Sequence, residues 1–244
     1  MKTIYQYIIN SISSQEKCLA VLIDPDKIEL QQLPEAVKKI NTSGATHIFV
    51  GGSYVEEGKS HDVITEIKKY TILPVVIFPG DTTQISHEAD AVLFLSLISG
   101  RNPDYLIGKQ VKSVSQLRHM TIEIIPTGYI LIENGKETAV QRITNTQPIS
   151  RDDIQAIVDT AKAGELLGMK LIYLEAGSGA MHPISAEIIR RVKQDITIPL
   201  IVGGGIKNPE QLDLAYEAGA DLVVIGTAFE NDNTFFDALK RAYI

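Results

Sequence analysis

Leu200-Ile201-Val202-Gly203-Gly204-Gly205-Ile206-Lys207 and, shortly after, Leu222-Val223-Val224-Ile225-Gly226-Thr227 each pass from an apolar run straight into glycine. The runs are rich in Val and Ile, as strands covered on both faces are. Glycines at a strand exit permit positive φ and leave backbone N–H groups uncovered, which makes a nest for an anion. Ala228 and Phe229 then open an expected short helix, whose positive end faces the same anion.

Six similar runs precede these two: Leu19–Ile23, His47–Val50, Val75–Phe78, Ala91–Leu95, Ile122–Ile125 and Leu171–Leu174. Between them the apolar period changes to that of a helix. Leu33, Ala36, Val37 and Ile40 form one stripe, as do Ile154, Ile157, Val158 and Ala161, and Leu212, Ala215 and Tyr216. Asn102-Pro103 and Asn208-Pro209 read as N-caps followed by proline at the first helical position. Ser150 with Asp153 resembles a capping box. Eight strands alternating with helices allow a closed barrel or an open doubly wound sheet. No glycine fingerprint follows the first strand, where a dinucleotide-binding sheet carries it. The glycines cluster after strands seven and eight, where barrels bind phosphate. The expectation is therefore a TIM (β/α)8 barrel spanning residues 1–244 as a single domain.

Two intervals break the pattern. Pro79–Asp90 is too short for a full helix, so the third helix is expected to be shortened or absent. After strand five, Ile130–Ile132 with Asn134-Gly135 suggests a hairpin. Both should lie on the catalytic face or a side wall.

The bulk numbers set limits. The chain of 244 residues is 44% hydrophobic and 22% charged, with a formal net charge of -7. A nucleic-acid partner receives no global electrostatic help from that charge and is not expected. The single cysteine, Cys18, allows no intrachain disulfide and suits a reducing compartment. Residues 1–17 lack the apolar core of a signal peptide, and no run approaches a membrane span, so a cytoplasmic protein without a stable membrane anchor is expected.

Further site residues follow from the other strand ends. Strand six ends in Tyr173-Leu174-Glu175-Ala176-Gly177-Ser178-Gly179. A carboxylate there, beside the phosphate nest, can accept hydrogen bonds from a polyol or remove a hydroxyl proton; a rim salt bridge is the plainer alternative. Strand one runs into Asp24-Pro25-Asp26-Lys27, and strand two into Gly51-Gly52-Ser53. One carboxylate and one hydroxyl facing phosphates suit Mg²⁺, which takes few protein ligands. Asp24 and Ser53 are thus the metal candidates, while Asp26 equally suits a cap for a helix near Ile28. Asp152-Asp153 fits a helix start, His182-Pro183 a site margin, and Arg101-Asn102 either a second anion or a cap. The five histidines show no zinc spacing. On residues alone the expectation is a magnesium-assisted enzyme acting on a small phosphate ester.

Taken in order, Leu22-Ile23-Asp24-Pro25-Asp26-Lys27, Val50-Gly51-Gly52-Ser53, Tyr173 to Gly179, Val202-Gly203-Gly204-Gly205-Ile206 and Ile225-Gly226-Thr227 resemble the geranylgeranylglyceryl phosphate synthases across nearly the whole chain. The resemblance implies Mg²⁺-dependent transfer of a geranylgeranyl group from geranylgeranyl diphosphate to the C3 hydroxyl of sn-glycerol 1-phosphate, in ether phospholipid biosynthesis. It implies that Tyr173, Leu174, Glu175, Ala176, Gly177, Ser178, Gly179, Gly203, Gly204, Gly205, Gly226 and Thr227 hold glycerol phosphate, with Glu175 and Tyr173 as catalytic residues. It also implies a homo-oligomer, dimer or hexamer. The apolar tail would lie against Pro79–Asp90. Leu22 and Ala176 stand where one branch of that family has lysine and tyrosine, and no DDxxD motif occurs, which argues against chain elongation. Another phosphate-binding TIM-barrel isomerase or synthase would share the glycine nest without needing Asp24 and Ser53; an inactive barrel serving as scaffold would need neither site.

Overall fold

A computed structural model describes residues 3–226. Its eight strands, β1 (Cys18–Ile23), β2 (His47–Val50), β3 (Val75–Ile77), β4 (Ala91–Leu97), β5 (Glu123–Leu131), β6 (Leu171–Glu175), β7 (Leu200–Gly203) and β8 (Leu222–Ile225), form a closed parallel barrel in sequence order. β8 returns to β1 with Cys18 opposite Leu222. Thr227, Ala228 and Phe229 lie outside the described residues, and with them the expected last helix.

Side-chain alternation divides the core into two layers. Phe49, Leu93, Tyr129, Tyr173, Ile201 and Val224 fill the barrel. Val50, Ile77, Ile130, Ile172, Leu174 and Val202 face outward against the helices. Those helices include α2 (Leu33–Asn41), α3 (Lys59–Ile67), α4 (Lys109–Leu117), α5 (Ala139–Thr144), α6 (Ile154–Leu166), α7 (Ala186–Asp195) and α8 (Pro209–Glu217). Asn208 caps α8 by accepting from the Gln211 N–H, as its Asn-Pro pair predicts. At α6 the cap is Asp153, which accepts from the Ala156 N–H, rather than Ser150. A helix without clear sequence warning, α1 (Ile4–Ser13), packs Ile8 into the lower end of the barrel. Its first N–H groups donate to the Glu123 carboxylate at the start of β5.

The third crossover helix, between β3 and β4, is absent, as expected (α3 is the second crossover, after the N-terminal α1): a single 3-10 turn, Thr82–Gln84, occupies the interval. The hairpin expected after strand five does not form. Ile130 and Leu131 instead complete β5, and Ile132 makes a parallel bridge to Ile149. No helix opens near Ile28; a short 3-10 turn, Leu30–Gln32, leads into α2. Asp26 pairs with Lys59 of α3. Among the described residues no helix is long and apolar enough to cross a membrane.

Candidate active site

A cavity of about 900 Å³ opens at the C-terminal ends of the strands. Its lining includes Asp24, Ser53, Tyr173, Glu175, Gly177, Ser178, Gly179, Gly204, Gly205 and Gly226. The three strand-end motifs and the strand-one aspartate therefore meet in one space.

The β6–β7 end is made of backbone. Gly177, Gly179, Gly204 and Gly205 all line the cavity at positive φ, the backbone conformation from which anion-binding nests are built. Gly204 is compelled twice: its φ is +84°, and a Cβ there would lie 2.4 Å from Glu175 Oε1. Glu175 Oε1 also accepts from the Gly177 N–H at 2.5 Å. Burial pushes the Glu175 carboxyl up to about 7, against the lowering effect of the Gly177 N–H and the Tyr173 hydroxyl. Below it the Tyr173 ring stacks on Phe78 with centroids 5.1 Å apart and lies 5.4 Å from Tyr129. Phe78 and Tyr129 line the cavity but escaped the sequence reading. Tyr129 lies beyond Ile125, the last residue of the expected strand, on a β5 that runs on to Leu131.

Several residues expected at the site lie outside the cavity lining. Leu174 and Ala176 point into the outer layer, away from the cavity, because alternation along β6 sends Leu171, Tyr173 and Glu175 inward instead. The Ala176 N–H already donates to Gly203 O. Gly203 makes room for Tyr173: a Cβ would stand 2.3 Å from the phenol oxygen. Arg101 turns back to the Gly100 and Ile98 carbonyls, and Asn102 takes its capping alternative, accepting from the Asp104 N–H while its amide donates to Thr144 O. His182 is exposed and does not line the cavity.

At the β1–β3 end the Asp24 carboxylate accepts from the Asp26 N–H and pairs with Lys27 at 3.3 Å. A Cβ on Gly52 would lie 2.7 Å from Asp24 Oδ1, so the β2 turn that carries Ser53 rests against this carboxylate. An accessible carboxylate beside a hydroxyl, both on the cavity wall, fits Mg²⁺ that completes its shell with water and phosphate oxygens.

From here the cavity continues through the side of the barrel. Where the third helix is missing, Ile85, Val92 and Phe94 form an apolar wall facing Gln110 and Ser113 of α4. Asp81 and Lys109 form an ion pair across this groove. The Lys109 ammonium also lies 4.8 Å from the centre of the Tyr105 ring.

A model of the PcrB family matches residues 12–243. The chain belongs to the PcrB family. A geranylgeranylglyceryl phosphate synthase of Flavobacterium johnsoniae is 56% identical, with 98% of each chain covered. One from Thermococcus kodakarensis is 43% identical over 93% of this chain and 90% of its own. Among solved structures, (S)-3-O-geranylgeranylglyceryl phosphate synthase from Thermoplasma acidophilum, in complex with sn-glycerol-1-phosphate, is similar with a TM-score of 0.92 and 35% identity. That alignment covers 98% of this chain and 96% of the other. Within the PcrB family frame, the backbone nest, the Asp24–Ser53 corner and the apolar groove are three parts of one continuous cavity.

Proposed function

We propose that the chain is a prenyltransferase that joins a geranylgeranyl group from geranylgeranyl diphosphate to the C3 hydroxyl of sn-glycerol 1-phosphate. The observation that carries this reading is the continuity of the cavity: an anion nest, a buried carboxylate, a metal-suited corner and an apolar groove follow one another. A phosphate-handling isomerase uses the nest but has no need of the groove.

The phosphate of the acceptor lies against the N–H groups of Gly179, Gly204 and Gly205, with the Ser178 hydroxyl and Gly226 beside it; Thr227, which the resemblance gives the same role, lies outside the described residues. That anchorage holds the C3 hydroxyl near Glu175 and converts the attack into an effectively intramolecular step. The C1–O bond of the donor breaks and the bond from the acceptor oxygen to C1 forms. The hydroxyl proton passes to the Glu175 carboxylate, and the electron pair leaves with pyrophosphate. A carboxyl raised to about 7 is matched to receiving that proton near neutral pH. Tyr173 holds Glu175 in place from below. Asp24 and Ser53 would hold Mg²⁺, which neutralises charge gathering on the leaving diphosphate. The tail lies along Ile85, Val92 and Phe94, and a cavity of about 900 Å³ is large enough for head and tail together.

The reading includes a cytoplasmic homo-oligomer, dimer or hexamer. An exposed apolar stripe of Ile107, Val111 and Val114 beside the groove supports association.

The direct test incubates purified protein with Mg²⁺, sn-glycerol 1-phosphate and prenyl diphosphates of graded length, with products identified by mass spectrometry. A prenylglyceryl phosphate that requires Mg²⁺ is expected. Protein that binds glycerol phosphate yet makes no product from any donor sinks the transferase reading.

A further inference from the structure

Gln84 has no role in the chemistry above, yet it is 1% exposed and forms part of the loop that replaces the missing helix. Its amide engages Gly52 in both directions. The Gly52 N–H donates to Gln84 Oε1 at 3.3 Å, and Gln84 Nε2 donates to Gly52 O at 2.8 Å. The Gly80 N–H donates to the same Oε1 at 3.3 Å. One side chain thus replaces the ladder bonds that β2 and β3 no longer supply beyond their ends.

What Gln84 holds is the floor of the donor corner. A Cβ on Gly80 would stand 2.3 Å from Gly52 O and 3.0 Å from Ser53 Cα, so the two backbones are in direct contact at the clamp. On its other side Gly52 rests against the Asp24 carboxylate. The residue after Gly80 is Asp81, which pairs with Lys109 across the groove, and the residue after Gln84 is Ile85, an apolar wall. Gln84 therefore sits between the metal-suited corner and the tail groove and touches neither substrate path itself.

We infer that Gln84 is a positioning residue for the donor half of the reaction, an inference that rests on the prenyltransferase reading. Its amide sets the register of the Gly52–Ser53 turn against both Asp24 and the groove wall. The diphosphate and the first isoprene unit then meet their contacts at one fixed spacing. Nothing in the clamp reaches the β6–β7 nest, so the acceptor is held independently.

The test is a split between substrates. Gln84→Met keeps the bulk and removes all three hydrogen bonds. Misplacement of a reacting group by about 1 Å costs about a hundredfold in rate. The expected result is a loss of that order in kcat, with KM for the prenyl diphosphate and the half-saturating Mg²⁺ concentration raised about tenfold and the Kd for sn-glycerol 1-phosphate held within about twofold. Gln84→Glu is nearly isosteric. Its neutral carboxyl can make the same three bonds, whereas its carboxylate cannot donate to Gly52 O. The ratio of its rate to that of the wild type is expected to rise as pH falls. Should Gln84→Met not fold, this ratio decides alone. Donor and acceptor parameters that shift together, or variants indistinguishable from an active wild type, overturn the inference while leaving the prenyltransferase reading intact. An inert wild type overturns both.

Discussion

The two ends of the cavity are built by opposite means. The β6–β7 end is backbone: four glycines stand at positive φ, Gly177 and Gly204 border Glu175, and Gly177, Gly204 and Gly205 leave no room for a side chain. The β1–β4 end is made of side chains and a gap, in which Asp81, Ile85, Phe94 and Lys109 border a space that a helix would otherwise fill, with Gln84 buried behind it. A rigid cradle suits a small acceptor whose hydroxyl must be aimed, and a side-chain-lined groove suits a long flexible tail. The contrast also separates the two halves experimentally.

The sharpest break is expected at Glu175. Glu175→Gln removes the proton acceptor and should lower kcat by about 10²–10⁴, with donor KM little changed. In the wild type the rate should rise with pH through about 7 as the carboxyl ionises, and the residual rate of the variant should lack that rise. Steady-state rates across the pH range check both. Gly204→Ala comes next. Its methyl group meets Glu175 Oε1 and forces alanine into a left-handed conformation. The strain alone costs about 1–3 kcal/mol, and acceptor affinity should fall by about a hundredfold while donor binding holds. Titration calorimetry with each substrate separates the two.

Stability follows the same carboxyl. Its native pKa of about 7 lies above the ordinary 4.5, so between these values the native state binds more protons than the unfolded one. Its contribution therefore falls as pH rises through that window and is level above it. Glu175→Gln should be more stable than wild type above pH 7, by up to about 3 kcal/mol, and gain nothing near pH 4. Denaturant melts at the two pH values decide. The smallest effect belongs to the open end: Lys109→Met breaks a partly exposed ion pair worth at most about 1 kcal/mol. Donor KM should change by no more than about fivefold, and added salt should shrink the difference.

The same contrast explains what could be read from the sequence. Continuous Val/Ile runs marked all eight strands, because parallel strands buried on both faces leave that composition. Adjacent glycines marked the backbone cradle, since positive φ is written into residue type. Pro79–Asp90 betrayed the missing helix by length alone. Phe78, Tyr129 and Gln84 carry no local signature, because their significance comes from neighbours far along the chain. The end of β5 was misread at Pro126, ordinarily a strand breaker. In the barrel the Pro126 carbonyl accepts from the Lys170 N–H, so its missing donor faces the place where β6 is only beginning and leaves no ladder bond broken. Helix α1 was missed because its warrant is tertiary: an open barrel bottom for Ile8 and the Glu123 carboxylate for its N-terminus.

The absent third helix also bears on how such a barrel diversifies. On the proposed reading, selection acting on tail length can alter a surface loop and one helix face without disturbing the strands that end in the glycine nest. Loops accept insertions and deletions far more readily than strands do. Lipid repertoire can then drift between lineages while the head-group chemistry stays constant. The limit on that drift is Gln84, since any remodelling of residues 79–85 must preserve the one amide that ties the loop to β2.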